Sequence, residues 1–249
     1  MRAVVELLAG ARRLVIFTGA GVSAESGIPT FRDALGGLWA RYDPAALATP
    51  AAFADDPALV WGWYEWRRLK VLGVQPNPAH RAIAALSGRI AGTRLVTQNV
   101  DDLHERAGSR DVLHLHGSLH APRCATCAAA YRDALPDSVE PEGRRIEPPR
   151  CPACGGQVRP GVVWFGEALP EAALREAFAA ACECDLLLSV GTSGVVQPAA
   201  RIPGLALEHG ASVVHVNPQP VRTRHPREHC LVGPAGEVLP ELLRRAFPG

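Results

Sequence analysis

The stretch Arg12-Arg-Leu-Val-Ile-Phe-Thr-Gly19-Ala-Gly21 decides how the chain is read. Residues 12–18 read as a buried strand that runs straight into a glycine turn and then a helix-like segment. Strand, glycine turn and helix start in that order present backbone N–H groups to a phosphate. Working outward, further buried-strand candidates lie at 94–98, 185–190 and 212–217, with a weaker one at 112–115. Helical patterns at 79–86, 171–181 and 198–208 fall between them. This alternation predicts an α/β fold with a Rossmann-like, doubly wound parallel sheet. Ligands of such sheets bind beyond the carboxyl ends of the strands. Three of the candidate strands end there in small or polar residues: Gly19-Ala20-Gly21, Gln98-Asn99 and Gly191-Thr192-Ser193.

Two insertions break the alternation. Residues 36–78 are rich in Trp, Ala and Pro and look helical. Residues 120–160 carry Cys124-Ala-Thr-Cys127 and Cys151-Pro-Ala-Cys154, separated by a polar Pro/Arg/Glu loop at 136–150. Two C-x2-C pairs suit one tetrahedral, four-sulfur zinc, and Gly155-Gly156 gives the second turn room. No secretory signal is visible, which disfavours disulfides. A closed four-sulfur site has no open position, so this zinc should be structural. His120 is a weaker alternative ligand, because four cysteines already complete the set. The expected division is a large domain from 1–35, 79–119 and 160–249, and a small one from the helical insert 36–78 and the zinc module 120–159.

With 249 residues, 47% hydrophobic and 20% charged, the chain suits a globular protein with a full core. A net charge of +1 gives no general argument for nucleic acid, and no apolar run is long enough to span a bilayer. Cytoplasmic placement is the expectation. Of the 26 basic residues only Lys70 is lysine. In residues 120–160 the arginines are interleaved with acids, which reads as a solvated loop rather than a phosphate track.

Gly19-x-Gly21-x-x-Ala24 alone is a weak dinucleotide signal. A dehydrogenase would next show a second strand ending in an acid. Instead the chain continues Ser26-Gly27-Ile28-Pro29-Thr30-Phe31-Arg32-Asp33, a loop that offers a cation suited to a diphosphate. The whole run 19–32 resembles the signature of the sirtuin family of NAD-dependent protein deacylases. So do Thr97-Gln-Asn-Val-Asp101, His116-Gly-Ser118, the cysteine pairs, Val163-Trp-Phe-Gly-Glu167 and Gly191-Thr-Ser193, in family order across nearly the whole chain.

The resemblance implies that NAD and an acyl-lysine peptide meet between the two domains. It places Gly19, Ala20, Gly21 and Arg32 at the diphosphate and Ser193 and Asn217 at the adenosine ribose, with Gly191 and Thr192 also in the NAD set. Gln98 and Asn99 fall at the nicotinamide-side ribose, Ile28 and Asp101 at the carboxamide, and Phe31 over the reacting carbon. His116 becomes the general base, with Asn99 as a further catalytic residue that holds a water. Cys230 joins the NAD set, although it lies among apolar residues and, like Cys182 and Cys184, reads as a small core side chain. Val163 would offer its carbonyl to the lysine amide, Phe165 would line the acyl tunnel, and Gly166 and Glu167 would pair with the peptide backbone. The implied products are nicotinamide, free lysine and O-acyl-ADP-ribose. His114 is expected to turn away from His116 and to be structural, and His104 to be packed. Gly161 departs from the family pattern, where a larger polar residue is common, and this leaves peptide contacts open.

On a helix Tyr64 and Arg67 share a face, and a phenol beside a guanidinium makes a carboxylate receptor. The pair resembles the Tyr-x-x-Arg motif of the branch that removes succinyl and malonyl groups, and Ala48 matches a small residue that widens its acyl pocket. The expected preference is therefore succinyl or malonyl over acetyl. The alternatives are a mono-ADP-ribosyltransferase on the same scaffold, or mainly a deacetylase.

Overall fold

The computed structural model describes residues 1–29, 41–135 and 143–248. The first half of the chain forms α1 (Arg2–Gly10), β1 (Arg13–Thr18), α2 (Gly21–Ala24), α3 (Pro44–Leu47), α4 (Pro50–Asp55), α5 (Pro57–Leu72), α6 (Pro78–Arg89) and β2 (Gly92–Thr97). Then follow α7 (Leu103–Arg106), β3 (Leu113–His114), β4 (Arg123–Cys124), β5 (Val158–Arg159), α8 (Glu171–Glu183), β6 (Leu186–Val190), α9 (Ile202–Glu208), β7 (Ser212–Asn217), β8 (Glu228–Val232) and α10 (Ala235–Ala246).

Six strands make one parallel sheet in the order β3-β2-β1-β6-β7-β8. The chain moves outward from β1 on one side, returns, and moves outward from β6 on the other. The point of reversal lies between β1 and β6, where a crevice opens beyond the strand ends. Alternation explains why these strands are apolar throughout. Leu14 and Ile16 of β1 face a core shared with Val4 and Leu8 of α1, Ile83 and Leu86 of α6, and Leu239 and Leu242 of α10. Val15 and Phe17 face the opposite core, with Ala177 and Ala181 of α8 and Ile202 and Ala206 of α9.

A third core stands apart from the sheet. It gathers Leu47, Ala48, Phe53, Leu59, Val60, Trp63, Tyr64, Trp66 and Val71 with Leu119, Val162 and Trp164. The helices of this insert begin alike, with a polar cap followed by proline. Asp43, Thr49 and Asp56 each accept an amide N–H with their side chain, and Pro44, Pro50 and Pro57 follow at the first helical position. The second sheet, β4 with β5, is antiparallel and carries the cysteine module. That module docks on α5. The Ile146 amide donates to the Ala58 carbonyl, Arg145 pairs with Asp56, and a Cβ on Gly62 would lie 2.2 Å from the Arg144 carbonyl oxygen.

Three expectations needed revision. The helix after the glycine turn is a single turn, closed where Gly27 adopts φ +86°. Pattern 198–208 splits into a 3-10 turn, Ala199–Arg201, and α9. The elements α1, β8 and α10 add to those read from sequence.

Candidate functional site

The crevice is built from two interlocked glycine turns. The Gly19 amide donates to the Val190 carbonyl and the Gly21 amide to the Gly191 carbonyl. The backbones are too close for side chains: a Cβ on Gly21 would lie 2.8 Å from Gly191 Cα, and one on Gly191, itself at φ +61°, would lie 2.4 Å from the Val22 nitrogen. Ala20 is left exposed at the crest. Asn217, at the end of β7, donates to the Thr192 carbonyl at 3.3 Å, so β6 and β7 present Thr192, Ser193 and Asn217 as one rim. Cys230 lies half-buried on β8, where its sulfur accepts the Val221 amide. Glycine turns without side chains above the strand ends, rimmed by polar groups, fit the backbone approach a dinucleotide diphosphate requires. Phe31 and Arg32 lie outside the described residues.

Beneath the opposite side of the crevice runs a buried polar network. Ser23 donates to Asp101 Oδ2 at 3.0 Å and accepts from Asn99 Nδ2 at 3.0 Å, and His80 Nε2 stands 3.4 Å away. Asp101 Oδ1 accepts the Leu103 amide. Burial raises the Asp101 pKa, and these two donors oppose that rise. Thr18 and Thr97, paired across β1 and β2, hydrogen-bond at 2.8 Å, and Thr18 meets His104 Nε2 at 3.0 Å. Burial pulls His80 down to about 4 and His104 to about 3, so both are neutral at neutral pH. His104 is therefore packed, as expected. Sequence reading missed Ser23, Asn77 and His80. The polar-cap-then-proline pattern at Asn77-Pro78 was a usable signal, whereas the Thr18–Thr97 pairing has no local signature.

His116 Nδ1 lies 3.0 Å from the Gln98 carbonyl, and burial lowers its pKa against that bond. His114 does not turn to the opposite side. A period of two puts both histidines against the same loop, and His114 grips the Asn99 carbonyl at 3.0 Å and Glu105 at 2.7 Å. These bonds fix the Asn99 backbone to Glu105 of α7. The Val163 amide donates to the His116 carbonyl and the Phe165 amide to the Ala48 carbonyl, so segment 163–167 bridges the histidine and the third core. Phe165 is 47% exposed and Gly166 is exposed beside it. The Glu167 carboxylate is bound by Arg159 and the Trp164 amide, which leaves only its main chain for a peptide. Gly161 is imposed by backbone approach, because a Cβ there would lie 1.8 Å from the Ala121 carbonyl oxygen. The third core also holds Ala48 and Tyr64, with Ile28 packed on it. The Arg67 guanidinium lies 5.5 Å from the Tyr64 ring centroid and 5.0 Å from that of Trp63. Burial pushes the Tyr64 phenol up to about 12, against the nearby charge of Arg67.

The sulfurs of Cys124, Cys127, Cys151 and Cys154 all lie within 4.8 Å of one another, with Cys124–Cys154 at 3.5 Å and Cys127–Cys151 at 3.8 Å. Tetrahedral zinc with Zn–S of about 2.3 Å needs sulfurs about 3.8 Å apart, so the set fits one ion. Amides of Thr126 and Cys127 donate to the Cys124 sulfur. The Cys127 amide leads in lowering that thiol to about 6, which favours the thiolate a metal binds. His120 takes no part. It faces Asp102, with Nε2 3.5 Å from Oδ1.

The doubly wound sheet, its paired glycine turns and the four-thiol module define a nucleotide-binding α/β enzyme. A family profile described as the Sir2 family matches residues 19–198. The chain belongs to the Sir2 family. It is 99% identical, over 100% of both chains, to NAD-dependent protein deacylase 1 of Pseudomonas aeruginosa. It is 59% identical, over 98% of each chain, to the NAD-dependent protein deacylase of Methylococcus capsulatus. Among solved structures it is similar to a Sir2 homologue in complex with NAD (TM-score 0.86, 44% identity, 99% of this chain and 93% of that one). It is also similar to a Sir2 protein bound to a myristoylated histone peptide (TM-score 0.73, 34% identity, 98% of this chain and 95% of that one).

Proposed function

We propose that this chain is an NAD-dependent protein-lysine deacylase that favours succinyl and malonyl over acetyl groups. The observation that carries the acyl preference is the Tyr64–Arg67 pair on α5. The guanidinium stands 5.5 Å from the phenol ring, in the core that also holds the small Ala48. With its pKa raised to about 12, Tyr64 stays an O–H donor at neutral pH, and arginine stays a cation. A donor and a cation side by side recognise a carboxylate at the end of an acyl chain.

When bound, NAD supplies the ribose carbon that accepts the acyl oxygen. In this reading Gly19, Ala20, Gly21 and Arg32 hold the diphosphate, while Gly191, Thr192, Ser193, Asn217 and Cys230 hold the adenosine side. Gln98 and Asn99 hold the second ribose, Ile28 and Asp101 the carboxamide, and Phe31 shields the reacting side. His116 takes a proton from a ribose hydroxyl. Val163, Gly166 and Glu167 pair with the peptide through their main chains, and Phe165 lines the acyl-lysine path. Residues 36–78 and 120–159 serve as one small domain against the large one, a division supported by the docking of the cysteine module on α5. No helix among the described residues is long and apolar enough to cross a membrane, and seven unpaired cysteines suit a reducing cytoplasm.

The test compares wild type with Arg67→Met on matched acetyl-, malonyl- and succinyl-lysine peptides with NAD, using mass spectrometry of the products. Loss of the charge contact should cost desuccinylation about 2–5 kcal/mol of binding and leave deacetylation largely intact. Equal loss of both activities overturns the carboxylate receptor. ADP-ribose attached to protein, in place of O-acyl-ADP-ribose, overturns the deacylase reading.

A further inference from the structure

Beyond binding the Glu167 carboxylate, the Arg159 guanidinium joins several pieces of the substrate wall. Nη1 and Nη2 donate to the two oxygens of Glu167 at 2.5 and 2.9 Å. Nη2 also donates to the Val162 carbonyl at 3.1 Å, and Nε to the Pro160 carbonyl at 3.4 Å. Its Cζ lies over the Trp164 ring, 3.5 Å from the centroid. Glu167 Oε2 in turn accepts the Trp164 amide at 2.8 Å. One side chain, itself buried, therefore ties both ends of the run 160–167. Trp164 continues the contact, its ring centroid 6.4 Å from that of Tyr64. On the other side, Arg159 belongs to β5, where its neighbour Val158 pairs with Cys124.

We propose that Arg159 is a positioning residue that locks segment 163–167 for peptide binding and transmits the integrity of the cysteine module to that segment. The inference rests on the deacylase reading. A planar fork can bind a carboxylate in two places and stack on indole at once; an ammonium group cannot. The geometry therefore demands arginine, and charge alone should not replace it.

Arg159→Gln and Arg159→Lys would be compared with wild type by steady-state kinetics, metal analysis and amide hydrogen exchange. Both variants should raise KM for the acyl-lysine peptide on the order of ten- to a hundredfold, with KM for NAD little changed and zinc retained. The Trp164 and Phe165 amides should exchange faster while those of Cys124 and Cys127 do not. Should glutamine cost the fold, Glu167→Gln cuts the same fork from the other side and should give the same split. Full rescue by lysine, an equal rise in both KM values, or unchanged exchange at Trp164 overturns the proposal. If wild type turns over no acyl-lysine peptide, the deacylase reading falls, and the exchange measurement still decides whether Arg159 holds the segment.

Discussion

A histidine acts as a base only through a ring nitrogen that carries no proton. His116 Nδ1 faces the Gln98 carbonyl at 3.0 Å, and a carbonyl can only accept, so the neutral ring keeps its proton there and leaves Nε2 basic. Burial lowers its pKa, with the same carbonyl opposing, so the base form persists below the ordinary histidine value of about 6.5. The acidic limb of kcat against pH should therefore fall below that value, and His116→Ala should lower kcat by about 10²–10⁴. A limb at or above the ordinary value would show that another group titrates. The Gly-Ser motif after His116 marked it as the candidate base. Its tautomer was not legible, because the deciding carbonyl is 18 residues away and is reached only once β3 packs beside β2.

At the scale of elements, α6 shows how a helix start becomes part of the site. Asn77 caps it through the Ala79 amide, and its Nδ2 reaches the Val22 carbonyl at 2.8 Å and Ser26 at 3.1 Å, while His80 completes the capping box and meets Ser23. Asn77→Ala removes the cap and leaves a buried carbonyl unsatisfied, so it should cost about 1–3 kcal/mol in denaturant unfolding. His80 adds a pH dependence. Its folded pKa of about 4 lies below the unfolded value of about 6.5, so the unfolded chain binds the extra proton between them. The contribution is whole above about pH 6.5 and is lost as pH falls toward 4, amounting to about 3 kcal/mol at most. His80→Gln should flatten that limb of stability against pH; an unchanged slope would place the acid sensitivity elsewhere. The central strands were legible because both their faces are buried. β8 was not, since as an edge strand it mixes Glu228, His229 and Cys230 with apolar residues and only Leu231 is buried. In α10, Pro240 interrupts the helical pattern.

At the scale of the molecule, three cores among the described residues divide the work. Two cover the faces of the sheet and set the crevice. The third holds the acyl-pocket candidates, and it closes only because Leu119, Val162 and Trp164, from the segments flanking the cysteine module, join the helices of the insert. The sequence motifs named the candidate parts of the site, but neither insertion shows locally that it packs on the other. That contact depends on Gly62 admitting the Arg144 carbonyl and on Asp56 receiving Arg145, pairs far apart in the chain. A metal that folds the module therefore supports a wall of the cleft, and its binding energy becomes folding energy of that wall. The tryptophans report on this directly. Trp61, Trp63, Trp66 and Trp164 all lie in the insert or in segment 163–167, all buried, and the sheet strands contain none. Chelation should shift tryptophan emission to the red and abolish turnover, while far-UV circular dichroism keeps most of its signal from the sheet and its covering helices. Added zinc should restore both emission and turnover. A zinc-free protein with unchanged emission and full turnover would show that the four thiols do not hold the wall.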